Sequence, residues 1–241
     1  MPLDIANVSN CTDLIAKLRQ TDISVPEHAG GRTRKHIEAW IIARLLATLA
    51  SSDLLDFPLS VVIAREKPDI LLQIGTLRIG VEITRVIDKQ FAAYCVYRER
   101  KRPRGIIDPG HFRPGKPPLT RDELRRLPQD RLTSEGWGDD GAEHDWASLV
   151  QKAVNTKLDK LARTDFEKFD QNWLTIYFDM PLRSVDLTRA ITFLQAGMNG
   201  CWSRKPGFDV LFVEHQNNIA RITANGSSHL PLNDLWKCAS P

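Results

Sequence analysis

Hydrophobic residues recur along the chain with two periods, and the period changes from one segment to the next. A spacing of three to four residues predicts four helices, at residues 9–20, 33–50, 146–169 and 185–198. Alternating or continuous apolar runs predict six strands, at residues 60–65, 69–74, 77–84, 173–179, 208–215 and 219–223. Helices that alternate with strands in this way predict one α/β domain over residues 1–241, with a central mixed β-sheet flanked by helices.

The two strands at 69–84 predict a tight hairpin that brings two acids together. Gly75 and Thr76 separate the strands and form a two-residue loop with glycine first, as a type II′ turn requires. Counting back and forward from this loop places Asp69 opposite Glu82, on one face of the hairpin. The carboxylates of two directly opposed residues are close enough to repel each other unless a cation neutralises them. Alternatively the acids are exposed, or a longer loop shifts the register and turns Glu82 to the other face.

Two predicted helices carry a charged residue on an otherwise apolar face. A helical wheel places Glu38 within the apolar arc of the helix at 33–50 and Lys157 within that of the helix at 146–169. A buried charge requires a partner. For Glu38, the alternatives are a frayed first turn that reaches water or an ion pair with an arginine of the core. For Lys157, the alternative is that the ammonium extends to the surface.

The hairpin sequence resembles the motif of a known nuclease superfamily. Pro68-Asp69, twelve intervening residues and Glu82-Ile83-Thr84 are similar to the motif of the PD-(D/E)XK, or restriction-endonuclease-like, nucleases. The resemblance implies a restriction-endonuclease-like core in which Asp69, Glu82 and the carbonyl group of Ile83 bind Mg²⁺ or Mn²⁺. It also implies metal-dependent hydrolysis of phosphodiester bonds, with DNA as the partner.

The chain departs from the superfamily motif at its lysine, which is replaced by Thr84. Threonine carries no positive charge, and we therefore expect Lys157 to supply the missing ammonium from another element. Glu38 matches an acid on the first helix that approaches the metal in the superfamily, where it would orient a bound water. The alternative is a catalytically inactive domain of the same fold that binds nucleic acid or protein, and Thr84 is the main argument for it.

The charge of the chain is concentrated in one region. Residues 98–118 contain seven Lys and Arg against two acids, whereas residues 127–147 contain six acids against one arginine. Five prolines and three glycines in the first stretch predict a long loop insertion, basic and then acidic, at about 98–145. Either the acidic stretch neutralises this loop, or the loop is an arm that contacts phosphates. The residues of this basic arm are Arg98, Arg100, Lys101, Arg102 and Arg104.

Composition excludes several other classes of protein. The net charge of +3 is too small for a histone-like protein. The sequence has neither a run of about 20 apolar residues nor a secretory signal, which predicts a cytoplasmic protein without a membrane span. The four cysteines are far apart and lack the spacing of a zinc site.

A homodimer would suit an enzyme that cuts both strands of a duplex.

Overall fold

The computed structural model describes most of the chain and contains six α-helices and eight β-strands within the described residues. These residues are 3–27, 30–63, 67–127, 132, 134, 136–164, 166–167, 169–182, 184–198 and 200–236. The helices are α1 (Cys11–Gln20), α2 (Arg34–Ser51), α3 (Lys89–Lys101), α4 (Arg121–Arg126), α5 (Gly141–Leu161) and α6 (Leu187–Gly197). The strands are β1 (Asp4–Val8), β2 (Leu59–Ile63), β3 (Ile70–Ile74), β4 (Leu77–Val86), β5 (Gln171–Phe178), β6 (Val210–His215), β7 (Asn218–Thr223) and β8 (Gly226–Pro231).

All eight strands form one sheet, in which they follow one another in chain order. Strands β1 to β4 pair antiparallel, the central strands β4, β5 and β6 pair parallel, and β6 to β8 are again antiparallel. Parallel neighbours require a crossover connection, and here helix α5 precedes β5 while α6 connects β5 to β6. The predicted α/β class and mixed sheet are therefore confirmed.

Helices cover both faces of the sheet and create two hydrophobic cores. Helices α1 and α2 pack on one face, where Val81 and Ile83 of β4 contribute to the core. Helices α3, α5 and α6 pack on the other face, which receives Leu174 and Ile176 of β5. Successive strand residues point to opposite faces. Glu82, between Val81 and Ile83, therefore belongs to the face that α5 covers.

The hairpin between β3 and β4 has the register that the sequence predicts. Ile74 pairs with Leu77, Leu72 with Ile79, and Ile70 with Val81. Gly75 has a φ of 58°, the left-handed conformation that the first position of a type II′ turn needs. The chemistry of the turn thus fixes which side chains share a face.

The insertion expected at 98–145 differs from the structure at both ends. Helix α3 continues to Lys101, and Arg102 ends it in a left-handed conformation with a φ of 45°. The prolines of this stretch begin only at Pro103, so the four residues before Arg102 remain free to form helix. At the other end, α5 already begins at Gly141.

Other boundaries also differ from the prediction. Helix α5 ends at Leu161 instead of residue 169, and α6 begins after Asp186 instead of Ser184. The Asp186 carboxylate accepts two backbone N–H groups of the first turn of α6, which makes it the N-cap. Helices α3 and α4 and the edge strands β1 and β8 are additional to the predicted elements. Among the described residues, no helix is long and apolar enough to span a membrane.

Candidate active site

The β3–β4 hairpin places Asp69 and Glu82 side by side in the interior. Asp69 immediately precedes β3, and the register that pairs Ile70 with Val81 continues to Asp69 and Glu82. Asp69 is only 4% exposed and Glu82 only 6%. Asp69 Oδ2 accepts a hydrogen bond of 2.7 Å from the backbone N–H of Ile83, which fixes the orientation of this carboxylate. The alternative of two exposed acids is therefore wrong.

Helix α5 directs the ammonium of Lys157 between these two carboxylates. Lys157 Nζ lies 2.6 Å from Glu82 Oε2 and 3.4 Å from Asp69 Oδ2. Its side chain is only 7% exposed, so it does not extend to the surface. Helical periodicity explains this position, because Val154 and Leu161, three residues before and four residues after Lys157 on the same face of α5, are part of the core. The prediction that Lys157 points inward towards the acids is confirmed.

The first turn of α2 adds a second acid–base pair to the cluster. Glu38 is buried and accepts a hydrogen bond from Arg34 Nε, one helical turn earlier. Arg34 Nη2 also donates to Asp69 Oδ1 over 2.5 Å, so one guanidinium bridges both carboxylates. Thr33 caps the helix and thereby sets the start of this turn. Glu38 thus has an ion-pair partner, but that partner is the largely exposed Arg34 and not an arginine of the core.

The hydrophobic pattern of the sequence does not predict that Arg34 belongs to the cluster. Its side chain is 69% exposed, so hydrophobic periodicity gives no reason to select it. The signal that the sequence does offer is its spacing from Glu38, because residues four apart on a helix are neighbours on its surface. An inward-facing acid one turn after a basic residue predicts an ion pair at the helix start.

The cluster contains three carboxylates and two cationic side chains. Burial raises the pKa of Glu82, and the Asp69 charge raises it further, while the ammonium of Lys157 opposes both effects. Burial also raises the pKa of Glu38, again with a contribution from the Asp69 charge and opposition from Arg34. Both shifts show that ionised carboxylates are unfavourable here. An additional cation would relieve this repulsion.

The donor set of the cluster suits a hard divalent cation. Mg²⁺ is usually bound by one or two carboxylates, together with water and phosphate oxygens. Asp69 and Glu82 provide two carboxylates, and both contact the Lys157 ammonium. Within the described ranges, no group of three or more His, Cys, Asp and Glu side chains could hold a metal ion. Two carboxylates from this chain are nevertheless sufficient for Mg²⁺ or Mn²⁺, whereas ligation by the carbonyl of Ile83 stays a prediction.

Thr84 lies on the same strand face as Glu82, two residues further along β4. It lines a cleft of about 440 Å³ between the end of β4, the start of α3 and helix α5. Lys157 lines this cleft as well, so the cleft adjoins the acidic cluster. The residue at the position of the motif lysine therefore lines the cleft that adjoins the acidic cluster.

The basic arm predicted by the sequence is not part of this cluster. Its residues occupy the C-terminal end of α3 and the loop after it, whereas Lys89 at the helix start lines the cleft. Arg98 is nine positions after Lys89, which corresponds to about 14 Å along the helix. Arg102 lies 3.8 Å from Glu27, which is outside the acidic stretch.

Described acids of the following stretch also have partners elsewhere. Asp140 pairs with Arg189, and Asp145 lies 3.6 Å from Arg113 and accepts a hydrogen bond from Trp137. These pairs attach the N-terminal end of α5 to its surroundings. The pair of Asp145 with Arg113 joins the acidic stretch to the basic stretch at 98–118, as the neutralising alternative expects, whereas neither acid pairs with the basic arm itself.

Comparisons with known proteins find no match for this chain among family models, curated proteins or solved structures.

Proposed function

We propose that the protein is a metal-dependent nuclease that hydrolyses phosphodiester bonds in DNA, built on a restriction-endonuclease-like core. The observation that carries the proposal is the position of Lys157, whose ammonium lies within 3.4 Å of both Asp69 and Glu82. Two acids and a lysine in one buried cluster match the three charged groups of the PD-(D/E)XK motif. The mixed sheet flanked by helices is compatible with this fold.

Asp69 and Glu82 would hold Mg²⁺ or Mn²⁺ in this proposal. The metal would polarise the scissile phosphate and lower the pKa of a bound water. The hydrogen bond from the Ile83 N–H leaves the orientation of Asp69 fixed before any ligand arrives. Such preorganisation avoids a reorganisation cost during the reaction.

The remaining residues act on water and on the developing charge. The Lys157 ammonium stabilises negative charge on the phosphate oxygens, because it lies in a water-poor environment where electrostatic interactions are strong. Glu38 accepts a hydrogen bond from the attacking water and orients it. Arg34 Nε binds Glu38 Oε1, and the exposure of Arg34 permits it to move when Glu38 binds water.

Moving the lysine back to its motif position tests the proposal. Lys157→Met should abolish cleavage of labelled DNA in Mg²⁺ or Mn²⁺. Thr84→Lys in the Lys157→Met background should restore part of it, because residue 84 faces the same cleft. Full metal-dependent cleavage by Lys157→Met would refute the role of Lys157, and absence of cleavage by the unmodified protein would refute the nuclease.

The second candidate function is a binding module that has the same fold without catalysis. Two observations favour it: position 84 is a threonine, and side chains of the protein already neutralise the acids. A binding module would retain DNA in a salt-dependent manner but would not cleave it with either metal.

A further inference from the structure

The cleft next to the acidic cluster has a strongly basic lining. Among its charged side chains, five are basic and one is acidic. They are Arg85, Asp88, Lys89, Lys152, Lys157 and Lys160. Leu149 and Ala153 of α5 and Phe112 and Pro114 of the insertion supply apolar walls. Charges of one sign within a cleft concentrate the electrostatic potential and attract anions.

Three of these lysines are available to a ligand. Arg85 pairs with Asp179, and Lys157 pairs with the two acids of the cluster. Asp88 caps α3, where its carboxylate accepts two backbone N–H groups. Lys89, Lys152 and Lys160 are exposed and make no ion pair among the described residues. We call these three lysines the lysine cleft.

The spacing of the lysines on α5 suits a repeating anion. Lys152, Thr156 and Lys160 are separated by four residues each, so they form one stripe along the helix. The stripe is about 12 Å long at 1.5 Å per residue. Phosphates of one DNA strand recur about every 3.4 Å along the helix axis, so the stripe covers three to four phosphate steps.

We propose that the lysine cleft binds the sugar–phosphate backbone of one DNA strand and leads it to Asp69 and Glu82. This inference rests on the proposed nuclease function and names the surface that its substrate uses. The two sites are continuous, because Thr84 lies on the strand that carries Glu82, and Lys157, which contacts both acids, also lines the cleft. The backbone is held by charge alone, so this contact is independent of base sequence.

The lysine cleft takes the role that the sequence assigned to the basic arm. Arg98 and Arg100 lie about 14 to 17 Å along α3 from Lys89, at 1.5 Å per residue. On a bound strand this distance corresponds to about four to five phosphate steps. The arm thus lies about four to five phosphate steps beyond Lys89, whereas Lys152 and Lys160 lie five and three residues from Lys157, about 7.5 and 4.5 Å along α5.

Two double variants with the same change of charge test this assignment. Lys152→Gln/Lys160→Gln neutralises the cleft, and Arg98→Gln/Arg100→Gln neutralises the arm. Both pairs of residues are exposed, so both variants should unfold at the temperature of the unmodified protein. Binding of a fluorescent 30-nucleotide strand and of its duplex is measured by anisotropy at several salt concentrations. EDTA is present throughout, so that no cleavage occurs.

The cleft variant should bind DNA more weakly, and its affinity should depend less on salt. The slope of log affinity against log salt concentration should fall by about 1.8 for the duplex and about 1.4 for the single strand. The arm variant should keep the slope of the unmodified protein.

An unchanged slope in the cleft variant, or a loss confined to the arm variant, would overturn the inference. So would the absence of DNA binding by the unmodified protein. Binding through the cleft without any cleavage in metal would refute the nuclease and leave the cleft assignment intact. Metal-dependent cleavage that is unchanged in the cleft variant would support the nuclease and overturn the cleft assignment.

Discussion

The ammonium of Lys157 lies 2.6 Å from the carboxylate of Glu82, and both side chains are buried. Burial of an ion pair is expensive, because the loss of hydration offsets most of the attraction between the charges. Apolar residues of similar size would often stabilise a core as well or better. We infer that this pair is maintained for its chemistry, and that its stability depends on pH and on added cations.

Lys157→Met should destabilise the protein by about 3–5 kcal/mol at pH 8, because two buried carboxylates lose their ammonium. Burial raises the pKa of Glu82 above its ordinary value, and loss of Lys157 raises it further. The folded variant therefore binds a proton that the unfolded chain releases, so its stability falls as the pH rises through this pKa. Urea unfolding at pH 5 and pH 8 measures the effect, which should be smaller at pH 5.

Two comparisons make the Lys157 prediction specific. Lys152→Met alters an exposed lysine of the same helix and should change the stability by no more than about 0.5 kcal/mol. Mn²⁺ should stabilise Lys157→Met more than the unmodified protein, since the metal replaces the lost positive charge. Equal destabilisation at both pH values would show that Lys157 contributes packing and not charge.

Arg34→Gln should increase the affinity for Mn²⁺ about tenfold. The guanidinium binds Asp69 Oδ1 and Glu38 and therefore competes with a divalent cation for the same oxygens. Substitution of Arg34 removes the repulsion between its positive charge and a metal ion bound at these oxygens. This favours metal binding by about 1.4 kcal/mol, which is a factor of ten in affinity. Isothermal titration with Mn²⁺ measures the affinity directly, without any substrate.

Lys35→Gln is the matched control for Arg34→Gln. Lys35 is the next residue of α2 and is exposed. Its substitution by Gln removes the same charge as Arg34→Gln. Its substitution should leave the affinity for Mn²⁺ within about twofold, because exposed charges are screened by solvent and salt. Equal affinities of Arg34→Gln and the unmodified protein would contradict competition by Arg34.

His215 should make the protein sensitive to acid. Burial lowers the pKa of its imidazole to about 4, and neither ring nitrogen has a hydrogen-bond partner among the described residues. The unfolded chain therefore binds a proton that the folded protein does not, and stability falls as the pH drops from about 6.5 to 4. The loss attributable to His215 is about 3 kcal/mol.

Urea unfolding of His215→Leu at pH 7 and pH 4 isolates this contribution. The variant should lose about 3 kcal/mol less than the unmodified protein between the two pH values. His229→Gln alters an exposed histidine and should retain the full acid sensitivity. If His215→Leu loses as much stability as the unmodified protein, the imidazole is not the cause.

The acidic pair and Lys157 can be predicted from the sequence because local rules determine them. A two-residue turn at Gly75 fixes the hairpin register, and the register alone places Asp69 opposite Glu82. Helical periodicity then identifies Lys157 as a charge that faces the core. Both inferences need only short segments of chain.

The parts that the sequence does not predict depend on long-range contacts. Arg34 is exposed and takes its place through Asp69, 35 residues away. The sequence of the edge strand β8 has no pattern that predicts an element, and the segment forms a strand by pairing with β7. The role of Lys152 and Lys160 also requires the fold, because an exposed lysine gains its significance only from the cleft that it lines.

Nicking of supercoiled plasmid DNA tests the central claim most directly. The unmodified protein and Asp69→Asn are incubated with the plasmid in Mg²⁺, in Mn²⁺ and in EDTA, after both proteins have been shown to be folded. We predict nicking by the unmodified protein in at least one of the two metals, and none in EDTA or with Asp69→Asn. Absence of nicking in both metals, or equal nicking by Asp69→Asn, would contradict the proposal that this acidic cluster is a nuclease active site.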